Sequence, residues 1–154
     1  MEWLESTAVA EWVRTSLVGY PLVLTLHSVG MAIIVGLAMV VDLRLIGRFE
    51  RIPLAALANL LRLAWYGFAI NLITGLMIFT SQAVFYTTSP TFIIKILMVI
   101  GGVSIAAYLQ PILRREAVGW GGTAGIPQGI RTLATASLVM WSITIVTGRF
   151  TAYL

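Results

Sequence analysis

The chain has 154 residues, room for one compact unit rather than two ordinary domains. It is 59% apolar and only 10% charged, with mean hydropathy +0.95, whereas a soluble domain carries about 25% charged residues; a soluble enzyme and a disordered chain are both excluded. The net charge is +4, but the ten Lys and Arg residues are scattered rather than gathered on one face, so the expected partner is a lipid bilayer and not nucleic acid. There is no cysteine, which removes disulfides, thiolate metal sites and thiol catalysis. One histidine and six carboxylates leave few parts for hydrolytic chemistry, so an enzyme is the less favoured expectation.

At the start of the chain Glu2, Glu5 and Glu11 give an acidic n-region, where a cleaved signal peptide needs a positive one. With Trp3 and Trp12 this segment is expected as a short helix on the outer membrane interface. Four stretches without charge follow, at 15–41, 63–94, 96–113 and 132–148. A spanning helix needs about 20 mainly apolar residues. The second stretch is too long for one span, and Ser89-Pro90 supplies a turn inside it. The expected helices are therefore about 17–46, 63–86, 91–114 and 129–152, an all-α, integral membrane four-helix bundle forming one domain over 1–154. The segment 53–62 (PLAALANLLR) reads as an inner interfacial helix, and 119–129 (GWGGTAGIPQG) as a loop.

Arg44, Arg48, Arg51 and Arg62 lie around the first connection, and Arg114, Arg115 and Arg131 around the third; the opposite side has Arg14, Lys95 and Arg149. This bias places the arginine loops in the cytoplasm and both termini in the periplasm of a multi-pass bacterial inner-membrane protein. Tyr20, Tyr86 and Tyr153, and at the other side Trp65, Tyr66, Tyr108 and Trp120, fit interfacial belts.

Within the spans, polar and small residues recur at helical spacing: Tyr20, His27, Gly30, Met31 and Ile34; Gly67, Asn71, Thr74, Gly75 and Gln82; Lys95, Met98 and Gly102; Ser137, Trp141, Thr144 and Gly148. Small-residue seams are the ordinary glue of membrane bundles, which makes packing the plain reading of these stripes. His27 stands out, because an imidazole in lipid is expensive unless its nitrogens are bonded. Three functional roles fit it: axial ligand to a haem iron, metal ligand, or proton carrier. Gly30, one turn on, would leave room for a flat macrocycle. A second axial ligand would have to be Met77, Met98 or the same histidine of another protomer, since the chain has one histidine. The plain alternative is a neutral imidazole bonded to Ser or Thr of a neighbouring helix.

Lys95 and Arg149 lie near the outer helix ends with no carboxylate in the last three helices to neutralise them. They either snorkel to the headgroups or form an anion site for haem propionates, a carboxylate or a lipid phosphate. Asp42 and Arg44, two apart, do not face one another on a helix. Asp42 is expected as an anchor reaching water, or as an acceptor from Arg62 or Arg131. Metalloprotease, serine-hydrolase and phosphate-loop motifs are absent.

The strings YPLVLTLHSVGMAIIVGLAMVVDLRLIG, WYGFAINLITGLMIF, SPTFIIKILM and WSITIVTGRFTAYL resemble a family of small four-helix bacterial inner-membrane proteins built on a domain of unknown function. The resemblance covers about 20–154 and rests most on Thr25-x-His27-x-x-Gly30, Asp42-Leu43-Arg44, Lys95 after Ser89-Pro90-x-Phe92, and Gly148-Arg149 with Tyr153. Members often carry an acidic residue where this chain has Leu24 and a histidine near 108–110; both are missing here. The family is distantly similar to b-type cytochromes and copper-resistance membrane proteins. Three functions are therefore in view: a haem-binding or redox-linked subunit active in electron transfer, with ligands His27 and Met77 or Met98 and propionates on Lys95 and Arg149; a binder or transporter of an anionic or lipid-like ligand; and an accessory or scaffold subunit in a homo-oligomer or larger membrane complex.

Overall fold

The computed structural model describes residues 2–151. It is built from helices, with no strand among those residues. In chain order they are α1 (Glu2–Glu5), α2 (Ala8–Thr15), α3 (Gly19–Leu45), α4 (Leu57–Ser81), α5 (Ala83–Thr88), α6 (Pro90–Glu116) and α7 (Gln128–Phe150). Short 3-10 turns at Leu54–Ala56, Ala117–Trp120 and Thr123–Gly125 join them. Four segments are long and apolar enough to cross a membrane: Gly19–Leu45, Leu54–Ser81, Pro90–Trp120 and Gln128–Phe150. Leu26, Val29, Ile73, Leu76, Leu97 and Ile100 are exposed on their outer faces, as a bilayer solvent allows.

The boundaries of α3, α6 and α7 fall close to expectation, while α4 differs at both ends. The segment 53–62 is not a separate interfacial helix: after Pro53 and the 3-10 turn Leu54–Ala56, residues 57–62 are the first part of α4, which runs straight through the exposed Arg62. At the far end Gln82 adopts φ −146° and ψ 46°, breaking the helix before α5. Phe79, Tyr86 and Phe92 then stack across the turn, with centroids 5.7 Å and 4.9 Å from Phe92. Burial, reinforced by Tyr20, pushes the Tyr86 phenol above its ordinary range. Pro90 starts α6, where a missing N–H costs nothing. Tyr153 and the expected end of the last helix at 152 lie outside the described residues.

The four long helices form a ring in which α3 packs chiefly on α4 and α6 chiefly on α7, with α3 also meeting α7 and α4 meeting α6. Two ends can be distinguished by chemistry. At the arginine end a core of Val41, Leu45, Leu57, Leu61, Leu109 and Leu113 is almost fully buried. Arg44, itself 4% exposed, donates from Nε to the Ile52 carbonyl (2.7 Å) and from Nη1 to Thr123 Oγ1 (2.8 Å). Arg131 Nη2 donates to the Thr123 carbonyl, so two arginines pin one loop. At the histidine end α2 lies against α4 and α3 through Ala10 and Val13, both fully buried. Thr7 caps α2 by accepting from Ala10 N, and Glu5 Oε1 accepts from Val84 N at 2.9 Å. The acidic segment is thus two short helices strapped over the bundle.

Candidate functional site: a polar seam in the histidine half

The seam begins where α3 and α4 approach closely enough for backbone to touch backbone. A Cβ on Gly30 would stand 2.7 Å from Asn71 N and 2.9 Å from the Gly67 carbonyl oxygen. One on Gly67 would stand 2.7 Å from the Ile33 side chain. Only glycine permits this crossing, and the space beside Gly30 is therefore taken by the backbone of α4.

The crossing delivers His27 to α4. Its Nδ1 lies 3.1 Å from the Asn71 carbonyl oxygen and 3.2 Å from Thr74 Oγ1. A carbonyl can only accept, and Thr74 spends its own proton on the Ile70 carbonyl (2.6 Å), so Nδ1 carries the ring proton and donates. Nε2 is left as an acceptor, 3.5 Å from Asn71 Nδ2. Asn71 Nδ2 donates to the His27 carbonyl at 2.9 Å, closing a reciprocal clamp between the two helices. The ring lies over Gly75, where a Cβ would meet His27 Cε1 at 3.1 Å. The arrangement expected of an imidazole bonded to a neighbouring threonine is thus present, together with a backbone carbonyl and an asparagine.

Next to this clamp the helices border a small, partly open cavity of about 10 Å³, lined by Met31, Ile34, Val35, Phe68 and Val99 and by four polar residues: Asn71, Lys95, Trp141 and Thr144. That volume is about one water. Lys95 runs along α7, its Cε and Nζ 3.6 Å and 3.7 Å from where a Cβ on Gly148 would stand. Lys95 also acts electrostatically on His27. Among the described residues no carboxylate or other acceptor pairs with Lys95. The indole of Trp141, 1% exposed, packs on Gly102, and its Nε1 has no hydrogen-bond partner among the described residues. Thr144 donates to the Met140 carbonyl at 2.9 Å.

Below Trp141 the same face of α7 carries Ser137, 2% exposed, which faces the carboxylate of Asp42. Asp42 is itself 2% exposed and its Oδ2 has no partner among the described residues. It is thus neither a water-reaching anchor nor seen paired with Arg131, whose Nη2 is committed to Thr123.

Of the residues singled out from sequence, the structure gathers His27, Gly30 and Lys95 around the seam. Met77 and Met98, both half-buried, and Arg149, exposed near the end of α7, are not part of the cavity lining. Sequence reasoning missed the Ser137–Asp42 pair and the unsatisfied Trp141 indole; periodicity placed Ser137 and Trp141 on one face without showing what that face meets. A haem macrocycle needs a slot on the order of several hundred Å³. Gly75 closes the flank of His27 and the cavity beside it is far smaller, so this cavity does not fit that group. Among the described residues no three His, Asp or Glu side chains converge as a metal site.

Taken together, the four apolar helices make this a multi-pass helical membrane protein, with a cation-bearing polar seam in one half of its bundle. Comparison with protein-family models, curated proteins and solved structures finds no match.

Proposed function

We propose that the protein is a bacterial inner-membrane binding protein that takes an anionic group in the histidine half of its bundle, with Lys95 as the counter-charge. The observation that carries this reading is Lys95 itself: it borders the interior cavity, and no described residue neutralises it. An ammonium inside a membrane domain is costly and marks a ligand or ion site by default. The excess of arginine around the 44–62 and 114–131 connections supports an orientation with that end in the cytoplasm, which puts the binding half toward the periplasm. Lys95→Met, nearly isosteric and uncharged, is expected to abolish anion-dependent stabilisation of the purified protein. Equal stabilisation by anions in wild type and variant would overturn the reading.

A second reading, haem binding, is favoured by one detail. His27 donates Nδ1–H to a backbone carbonyl and leaves Nε2 to accept, the orientation used by metal-ligating histidines. As the cavity beside His27 does not fit the group, it would sit outside the chain, against a second copy. A Soret band lost in His27→Ala supports this reading; a colourless preparation from haem-replete cells ends it.

A further inference from the structure

Resting on the reading of Lys95 given above, we propose that the ligand is a monatomic anion, a halide, held between Lys95 and the indole N–H of Trp141. Three observations converge on it. The first is size. The cavity is about 10 Å³, comparable with one water and too small for a carboxylate, phosphate or sulfate. A chloride ion is larger than a water, and Met31 in the lining is flexible enough to yield and admit it.

The second is the donor set. Indole nitrogen can only donate, and Trp141 Nε1 is buried with its proton unused. The Lys95 ammonium brings three more protons and no acceptor. Asn71 Nδ2 and the Thr144 hydroxyl are already committed, to His27 and Met140. Among the described residues the uncommitted donors thus belong to Lys95 and Trp141, and no carboxylate lines the cavity.

The third is charge. A water could satisfy the indole N–H, but it would leave the ammonium uncompensated in a low-dielectric interior; a halide cancels it. The one carboxylate within the four long spans that faces the interior, Asp42, sits at the far end of the seam against Ser137. The remaining lining, Ile34, Val35, Phe68 and Val99, is apolar, and low-dielectric surroundings strengthen each donor–anion contact.

The test is thermal unfolding of the detergent-purified full chain at constant ionic strength, with gluconate exchanged for chloride, bromide, acetate or phosphate. Chloride and bromide are expected to raise the midpoint saturably, with acetate and phosphate inert. Apparent affinity should fall at least tenfold in Lys95→Met and several-fold in Trp141→Phe, which removes the N–H while keeping an aromatic ring. Stabilisation by acetate or phosphate but not by halides, lost in Lys95→Met and kept in Trp141→Phe, overturns the halide site and leaves the broader anion reading standing. No response to any anion overturns both. Should a variant fail to fold, bromide anomalous scattering from wild-type crystals decides: a peak between Lys95 and Trp141 supports the site, and its absence at saturating bromide rejects it.

Discussion

The two halves of the bundle are built on opposite principles. The arginine half is filled by large side chains, Leu45, Leu57, Leu109 and Leu113 among them, and two arginines bond its loops together. The histidine half brings α3 and α4 together through glycines and an asparagine clamp, and leaves a small cavity bordered by a lysine and an unsatisfied indole. Close packing specifies a structure, whereas a buried polar group without a partner costs stability. The contrast sets close packing in one half against a polar seam in the other.

Three substitutions sharpen or break that contrast. Leu57→Ala, at a fully buried position in the arginine half, is expected to destabilise by about 3 kcal/mol, through the cavity it leaves. Asn71→Leu removes the bond to the His27 carbonyl and is expected to cost about 1.5 kcal/mol, within the range for interhelical hydrogen bonds in membranes. Lys95→Met is expected to change stability least and in the other direction, a gain of about 1 kcal/mol in the absence of an anion, because an uncompensated buried charge is replaced by a thioether. Reversible unfolding in mixed micelles measures all three. If Asn71→Leu cost as much as Leu57→Ala, or Lys95→Met were strongly destabilising, the contrast would fail.

Much of this was legible in residue order. The ends of α3 and α7 follow from the limits of their uncharged runs, because few other residues can cross a bilayer. The start of α4 was hidden by Arg62: a charge-free criterion stops at that residue, yet an arginine on the exposed face of a helix near its end does not interrupt it. Its other end was hidden for the opposite reason, since the break at Gln82 carries no charge, proline or glycine to announce it. The importance of His27 and Lys95 could be read from their rarity in apolar surroundings. Their partners could not. Thr74 and Asn71 belong to a stripe that fits plain packing equally well, and only the glycine crossing shows that the stripe meets His27. Asp42 looked like a residue at the water's edge because its depth was judged from its own helix; Ser137 on α7 covers it. An unsatisfied indole is invisible from sequence altogether, since what defines it is the lack of a neighbour.

The pairing of helices also bears on the order of biogenesis. The first hairpin, α3 with α4, contains the whole imidazole clamp and can close as soon as residue 81 has left the ribosome and entered the bilayer. Lys95, Val99, Trp141 and Thr144 arrive on the second hairpin, and the chamber they border takes shape only when the two hairpins dock. A ligand lodged there would bridge both hairpins, so its capture would mark the last event of maturation and hold the finished molecule closed.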